Sequence, residues 1–519
     1  MFISAVDSTI VNVALPGISR DLNARLGQLQ WVIDGFLVCL GGMLLVGSGL
    51  ADRFGRRRVF LSGFAAFGVT SVLAAASQTT DELIAARVLM GAAAACVLPP
   101  ALSLVAVMFS PAERPRALAV WTTVAGLGFA LGPVLGGVLV PNVGWRAVFL
   151  VNVPVAIVAV PLGMYALPES RRPGSPPFDL VGVGLSIIAL ASIVYALIDG
   201  VHAGWTDPVV LTVGLVGLVA GFAFVRVELG RRTPLFDVSL LGRPAVAAGA
   251  VVILAVYIAF LGLLFLLPQY LHYVRGQSTL FSGLILAPLG VGTLITAPLT
   301  RPVVARVGAR VTITGALAVM SGSVALLLLL HRNSSVVLVL ISMGLFGAMI
   351  PLTVTPATGV IMGDLAEGEA GDGGAINQLA RQVGGALGVA IIGSVFAEVY
   401  AHHIVSQLLG FPPSARQSAE QSIAASQKLV ATAGSTVSAR LLVRVAHAFD
   451  VAARFGFAVT TALLLAAALV AALALDRGRR REGERGAHPP GQPAGRSAHS
   501  RPASVSQEGR FRLAARTRV

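Results

Sequence analysis

The sequence is poor in charge, lysine and aromatic residues. Only 12% of its 519 residues are charged and 6% are aromatic, and Lys428 is the single lysine. A chain that is 55% hydrophobic, with a mean hydropathy of +0.83, cannot be an ordinary water-soluble globule. The composition therefore predicts an all-α polytopic membrane protein.

The sequence also lacks recognisable catalytic and metal-binding patterns. Cys39 and Cys96 lie in apolar runs without metal-ligand spacing, so we expect them to pack as small hydrophobic residues. No nucleophile triad or P-loop occurs, and His402-His403 fits no metal spacing. We therefore expect no enzyme, no cofactor and no metal. Without a nucleotide site, transport would be driven by an ion gradient, or the protein would merely equilibrate its substrate across the membrane.

About fourteen apolar segments are long enough to cross a bilayer, which takes roughly 20 residues. Their approximate ranges are 1–18, 29–51, 59–77, 83–109, 117–139, 146–167, 180–200, 208–228, 245–270, 280–300, 310–331, 335–362, 374–401 and 453–475. None is a cleavable signal, since no basic region or cleavage site precedes the first. Because Asp7 lies inside the first segment, which ends before Ser19, either this helix is short or the true start lies upstream.

Arginines concentrate in alternate gaps between these segments. Arginines beside a spanning helix stay on the cytoplasmic side, so the net charge of +14 is a topology signal rather than a sign of nucleic-acid binding. The pattern predicts a plasma-membrane protein with both termini in the cytoplasm. The acidic gap 364–372 breaks the pattern, but acidic residues contribute little to orientation.

The order of the segments predicts the domain organisation. Residues 1–167 contain six spans, 168–244 contain two spans with linkers, and 245–475 contain six spans. Within the last of these ranges, 402–452 is expected to be an external loop with a short amphipathic helix. The basic tail 476–519 has little to bury and is expected to be disordered.

Three ionisable residues lie within predicted spans, where charge is costly and usually functional. Asp7 and Asp34 are candidates for carboxyl groups that take up a proton on one side and release it on the other. The alternative for each is a carboxylate that pairs helices or lies at the interface. Arg87 stays protonated, so it either biases a neighbouring carboxylate or forms a structural interhelical pair.

The fifth span carries small residues four positions apart, which let another helix approach closely, and a proline that permits a bend. These residues are Gly128, Gly132, Pro133, Gly136 and Gly137. A second small-residue face, Gly384 to Gly388, lies in the thirteenth span. Generic packing is the alternative explanation for both.

Six motifs, each weak alone, together resemble one family. They are Asp7 to Pro16, Trp31 to Phe36, Ser48 to Arg58, Leu83 to Gly91, Gly128 to Gly137 and Gly144 to Pro154. Over residues 3–475 the chain resembles the major facilitator superfamily, in its fourteen-helix drug:proton antiporter branch (EmrB/QacA type). It departs from the usual pattern at Ser48, where glycine is usual, and at Met90, where glutamine is usual.

This resemblance implies the major facilitator fold, in which an N-terminal six-helix bundle (1–167) and a C-terminal six-helix bundle (245–475) flank two extra central helices (168–244) and rock about a site near the midplane. It implies proton handling by Asp7 and Asp34, coupling by Arg87, and a glycine-proline helix that keeps antiport tight. The expected partners are a small-molecule substrate, protons and the lipid bilayer, and the expected state is a monomer. Weaker candidates for the substrate cavity are Asn12, Tyr257, Gln269, Asn377 and Arg381.

The stretch Ser48 to Arg58 is more than a topology signal, because charge alone would need neither Asp52 nor Gly55. We interpret Asp52, Arg53, Gly55 and Arg57 as a cytoplasmic latch in which Asp52 pairs with an arginine or a helix N-terminus of a neighbouring span. A diluted copy later in the chain has Ala305 in place of Asp52. We therefore expect a latch in one half only.

The leading hypothesis is proton-coupled export of small amphipathic or cationic compounds, such as antibiotics or dyes. An exporter or facilitator of another metabolite, such as a sugar or siderophore, remains an alternative. A membrane sensor that does not transport is the third possibility.

Overall fold

The described part of the chain is almost entirely helical. The computed structural model describes residues 2–110, 113–171, 179–231, 237–331, 334–366, 369–408 and 435–486. Within these ranges, fourteen helical segments are long and apolar enough to cross a membrane. The helical fold class and the predicted number of spans are therefore confirmed.

The helices follow the predicted order along the chain. The N-terminal half contains α1 (Phe2–Leu22), α2 (Leu26–Phe54), α3 (Arg56–Ala76), α4 (Thr80–Ala95), α5 (Leu98–Met108), α6 (Arg114–Val143), α7 (Ala147–Leu150) and α8 (Asn152–Ala166). The two additional helices are α9 (Leu180–Ala203) and α10 (Pro208–Gly230). The C-terminal half contains α11 (Pro244–Tyr273), α12 (Thr279–Thr296), α13 (Thr300–Val307), α14 (Ala309–Leu326), α15 (Val336–Gly363), α16 (Ala370–Gln407) and α17 (Ser435–Gly486).

Local sequence signals set several helix boundaries. A capping box starts α4, where the Thr79 hydroxyl accepts from the backbone N–H of Glu82 at 3.2 Å. Prolines Pro99 and Pro100 in the first turn of α5 separate it from α4, and the two helices together make the fourth span. At the junction of α2 and α3, Gly55 has a φ of +112°, a conformation that favours glycine.

The first helix is longer than the sequence indicated. α1 has 21 residues and continues through Pro16 and Ser19 to Leu22. At 1.5 Å per residue it is roughly 31 Å long, enough to cross the hydrocarbon core. The first span therefore extends past its approximate predicted end at residue 18, because Ser19, Arg20 and Asp21 belong to the helix.

Two extensive helix crossings join the N-terminal and C-terminal halves in the described part of the chain, and α1 adds smaller contacts with α11 and α12. α6 packs along α12, and α2 packs along α16. The additional helix α9 lies against both α2 and α16, while α10 packs mainly on α9. The additional pair is therefore attached at the α2–α16 crossing.

The segments after α16 differ in part from the prediction. α16 ends at Gln407 and α17 begins at Ser435, so both ends of the predicted loop 402–452 are helical, whereas 409–434 lie outside the described residues. α17 continues to Gly486, past the predicted start of the tail at 476. Residues 487–519 of the predicted tail lie outside the described residues. The domain boundaries at 167/168 and 244/245 remain predictions.

Candidate functional site

A buried ion pair joins the first and fourth spans. The Asp7 carboxylate on α1 accepts from Nη1 of Arg87 on α4 at 2.8 Å, and both side chains are at most 2% exposed. Asn152, at the start of α8, donates to the other Asp7 oxygen at 3.4 Å and to the Ser71 hydroxyl on α3 at 3.2 Å. Four helices therefore meet at Asp7.

Arg87 is held from several directions. Its Nε donates to the Val32 carbonyl at 3.0 Å, and its guanidinium lies 4.3 Å from the ring centroid of Phe36 and 5.9 Å from that of Phe149. Carboxylate, carbonyl and aromatic faces together make burial of this cation tolerable. The geometry matches the predicted pairing of Arg87 with a neighbouring carboxylate.

Asp34 is buried apart from this pair. It is fully buried on α2, and neither carboxyl oxygen has a hydrogen-bond partner among the described residues. The structure therefore brings together two of the three predicted proton-coupling residues, Asp7 and Arg87, and leaves Asp34 alone. An unpaired carboxylate charge in such a place would cost several kcal/mol, so this conformation suits the neutral carboxyl.

The face of α2 that carries Asp34 packs against α16. One turn before Asp34, the Gln30 side chain donates to the Val389 carbonyl at 3.1 Å. About one turn after it, Leu37 lies against Gly385, and further along Gly41 lies against Gln382. Since positions three, four and seven apart share one helical face, Asp34 lies at the crossing between the two halves of the protein.

The glycines of α6 pack closely against two different helices, α1 and α12. Bare backbone at Gly128, Gly132 and Gly136 faces α1; a Cβ on Gly132 would lie 1.9 Å from the Thr9 hydroxyl. On another face, Pro133 and Gly137 meet α12, where a Cβ on Gly283 would lie 2.1 Å from the Pro133 carbonyl oxygen. The predicted tight helix contact is confirmed, and one of its two faces joins the halves of the protein.

The loop between α2 and α3 is tied to the segment after α8. Asp52 pairs with Arg56 at 2.9 Å, an arginine outside the predicted latch set. A Cβ on Gly55 would collide with the Glu169 carboxylate, which also accepts from the backbone N–H of Arg57 at 3.3 Å.

The other arginines of this loop have separate contacts. The Arg57 side chain donates to the Met164 carbonyl, and Arg53 lies 5.7 Å from the ring centroid of Phe54. Sequence reasoning missed Glu169, because an acidic residue in an arginine-rich gap has no motif to mark it.

An ion pair explains the acidic gap that breaks the arginine pattern. Arg243, just before α11, makes a bidentate contact with Glu369 at 2.9 and 3.0 Å, and it donates to the Asp364 carbonyl at 2.6 Å. A backbone N–H from Ala366 and this guanidinium lower the pKa of Glu369. The charge of the acidic gap 364–372 is therefore partly neutralised by Arg243, from the segment before α11.

A cavity lies between the two halves and encloses about 70 Å³. Its walls come from α1, α2, α5, α6, α11 and α16. Most of the lining is apolar, and the polar, charged and aromatic side chains are Ser4, Ser8, Phe36, Phe129, Tyr257, Phe260, Gln378, Arg381 and Gln382. A second cavity of about 30 Å³ shares Phe129, Tyr257 and Phe260 and extends towards α12 and α15.

Only two of the five predicted cavity residues line it. Tyr257 and Arg381 do so, and Asn377 lies behind them, where it accepts from Arg381 Nε at 2.8 Å. Asn12 instead donates to the Ser8 carbonyl at 3.0 Å, and Gln269 donates to the Phe265 carbonyl at 2.9 Å. Depth in the membrane could not distinguish residues that face the cavity from those that face a neighbouring helix.

Comparison with known proteins identifies the family. The family model described as Major Facilitator Superfamily matches residues 1–389. The chain belongs to the major facilitator superfamily. Among members of this superfamily, it is 35% identical over 399 residues to the multidrug resistance protein Stp of Mycobacterium tuberculosis, covering 76% of this chain and 74% of Stp. It is 30% identical to the multidrug efflux pump LfrA of Mycolicibacterium smegmatis, covering 91% and 94% of the two chains.

A solved structure supports the major facilitator fold. A bacterial homologue of the human lysosomal transporter Spinster superposes with a TM-score of 0.64 at 16% identity, over 92% of this chain and 95% of that one. At this identity the likeness concerns the fold alone.

Proposed function

We propose that this protein exports small amphipathic or cationic compounds, antibiotics among them, from the cytoplasm in exchange for protons. The observation that carries the proposal is a cavity between the two halves whose walls include α1 and α2, the helices that carry the buried carboxyl groups of Asp7 and Asp34. The names of the relatives, a multidrug resistance protein and a multidrug efflux pump, support drug export. The substrate crosses chemically unchanged.

The positions of the lining residues support a cavity on the cytoplasmic side. In the topology that we propose, both termini are cytoplasmic in the plasma membrane, and α1 and α16 begin at that face. Ser4 and Ser8 lie in the first two turns of α1, and Arg381 lies about three turns into α16. Towards the other face, the Gln30 contact with α16 closes the crossing.

The cavity volume supports alternating access. Pockets that bind drug-sized molecules have volumes of about 300–1,000 Å³, whereas this cavity encloses about 70 Å³. The halves must therefore separate further at the cytoplasmic side to admit a substrate. The α6–α12 and α2–α16 crossings are the surfaces that change in such a movement.

Asp34 is the residue we propose to carry the proton. In the present conformation it is buried without a partner, which favours the neutral carboxyl. Opening of the α2–α16 crossing towards the outside would admit water, so that the group can exchange its proton with that side. The Asp7–Arg87 pair would hold the helices of the N-terminal half together and respond to this change.

The proton gradient supplies enough energy for concentrative export. A proton that enters down a membrane potential yields about 2.3 kcal/mol per 100 mV. Since about 1.4 kcal/mol corresponds to a tenfold concentration ratio, each exchange of one proton for an uncharged substrate supports an outward gradient of roughly tenfold or more. For a monovalent cation the pH gradient supplies the driving force, because that exchange moves no net charge.

The test compares wild type, Asp34→Asn and Arg87→Ala in an efflux-deficient host challenged with a panel of antibiotics and dyes. We expect wild type to raise resistance to several compounds and both variants to lose that resistance at equal membrane levels. Purified wild type in vesicles should move a substrate of the panel only when a proton gradient is imposed. Resistance that Asp34→Asn leaves intact would contradict the proton-carrier role, and transport without proton movement would favour a facilitator.

A further inference from the structure

Arg381 is the single charged side chain among the residues that line the larger cavity. It lies about three turns into α16, where the cavity is bounded by helices of both halves. No carboxylate contributes to this lining. The cavity of a proposed drug exporter therefore contains a fixed positive charge and, in its lining, no negative one.

Close helix packing places Arg381 over an aromatic ring. Gly384 follows Arg381 by about one turn of α16. A Cβ on Gly384 would lie 2.6 Å from the Leu254 carbonyl oxygen of α11, so only glycine allows the two helices to pack this closely. The guanidinium then lies 5.3 Å from the ring centroid of Tyr257 and donates to its hydroxyl at 2.9 Å. The Asn377 side-chain oxygen accepts from Nε of Arg381 at 2.8 Å, and this bond fixes the orientation of the planar guanidinium.

The hydrogen bonds of Arg381 leave part of its guanidinium unused. Arginine has five N–H donors, and its contacts with Asn377 and Tyr257 use two of them. In the described part of the chain, Arg87 and Arg454, which also lie within spans, each pair with a carboxylate, whereas Arg381 does not. A guanidinium with unused donors is suited to carboxylate and other oxyanion groups.

The remaining walls are suited to a flat apolar molecule. Phe129 and Phe260 pack edge to face with ring centroids 5.5 Å apart, and Phe36 lines the same cavity. Aromatic side chains can stack on a planar ring system, and this contact requires no directional polar group. The cavity thus combines an aromatic surface with one oriented cation.

We propose that the cavity selects flat aromatic compounds that carry an acidic oxygen, such as a carboxylate or phenolate, over cations of the same size. The guanidinium of Arg381 binds the oxyanion, and Phe36, Phe129 and Phe260 contact the ring system. A cationic compound would face the like charge of Arg381 and meet no carboxylate in the lining. This inference rests on the proposed export function and narrows its substrate class.

The test uses two probes that share a pyrene ring and carry permanent opposite charges, pyrenesulfonate and a pyrenyl trimethylammonium. Full-length protein is reconstituted in vesicles with its cytoplasmic face outward, and uptake is followed by fluorescence under an imposed proton gradient. Protein-free vesicles correct for passive entry. We expect wild type to take up the sulfonate at least about tenfold faster, the size expected of one charged hydrogen-bonded contact.

Two variants assign that preference to Arg381. Arg381→Gln should lose the sulfonate uptake about tenfold without losing uptake of the ammonium probe, and Arg381→Lys should fall between, because lysine keeps the charge but not the fork. If Arg381→Gln fails to insert, Ser8→Asp offers an independent measurement. It adds a carboxylate to the α1 wall and should raise ammonium uptake relative to sulfonate uptake.

The outcomes separate this inference from the proposed function. Wild type that takes up the ammonium probe but not the sulfonate overturns the inference and leaves proton-coupled export standing. Wild type that takes up neither probe, and none of the compounds to which it confers resistance, overturns the export function itself. Equal loss of both probes in an Arg381→Gln protein that inserts normally would make Arg381 structural and contradict the selectivity.

Discussion

The Gln30 side chain on α2 donates to the Val389 carbonyl on α16 at 3.1 Å, across the crossing between the two halves of the protein. The side chain is fully buried, and a Cβ at Gly393 would lie 2.3 Å from its nitrogen. The bond lies one helical turn from Asp34. It therefore connects closure of this crossing to the residue that we propose to carry the proton.

Replacing Gln30 with methionine should weaken this closed state. Gln30→Met keeps the length of the side chain and removes its hydrogen bonds to the Val389 and Ala390 carbonyls, at 3.1 and 3.4 Å. Loss of the shorter bond alone is worth about 1 kcal/mol, or roughly a fivefold shift in population. Spin labels at Asp21 and Gln277, near the ends of α1 and α11, should report a larger fraction of long distances. The matched control is Gln78→Met, because Gln78 is exposed. An unchanged distance distribution in Gln30→Met would refute the closing role.

Removing one partner of the Asp7–Arg87 pair should destabilise the protein more than removing both. Asp7→Asn leaves a buried arginine without its carboxylate, and breaking a buried pair in this way costs about 3–5 kcal/mol. The double variant Asp7→Asn/Arg87→Gln removes both charges and should recover much of that loss. Thermal unfolding in detergent measures the difference. A double variant as unstable as the sum of the two single variants would show that the pair does not act as a unit.

The sequence predicted the helices well because a membrane span needs a long apolar run, and such runs are visible without a structure. It also identified Asp7 and Arg87, since charge inside a span is rare. It did not reveal that Asn152 and Ser71 join them, because polar uncharged residues are common in helices. Which side of a helix faces the cavity depends on packing, so the sequence could not separate Arg381, which lines the cavity, from Asn12 and Gln269, which bond to carbonyls of their own helices.

The loop contact of Asp52 should matter for transport rather than for insertion. Asp52 orients Arg56 at the start of α3, and the adjacent Gly55 lies against Glu169. Asp52→Asn should cut export strongly at unchanged membrane level, and Glu169→Gln should have a smaller effect of the same kind. Asp21→Asn, at an exposed ion pair near the end of α1, is the control. Normal efflux by Asp52→Asn would refute the latch.

Adding a side chain at Gly283 should force α12 away from α6. A Cβ at this position would lie 2.1 Å from the Pro133 carbonyl oxygen, so Gly283→Val cannot keep the present contact. Overpacking of this kind costs about 1–3 kcal/mol, and we expect a lower unfolding temperature together with loss of transport. Gly322→Val is the matched control, since a Cβ at Gly322 meets nothing within 4 Å. Equal effects of the two variants would mean that the crossing is not the cause.

The charge of the substrate should determine how the membrane potential acts on export. In a one-for-one exchange, an anion that leaves as a proton enters moves two charges in the favourable direction, worth about 4.6 kcal/mol per 100 mV at 2.3 kcal/mol for each charge. A monovalent cation exchanged for a proton moves no net charge. With a potassium gradient and valinomycin setting the potential, accumulation of pyrenesulfonate should rise steeply when the cytoplasmic face is negative, while accumulation of the ammonium probe should stay nearly constant. The ratio of sulfonate to ammonium accumulation therefore reports both the coupling to protons and the selectivity of Arg381. Sulfonate accumulation that does not depend on the membrane potential would contradict one-for-one exchange with a proton.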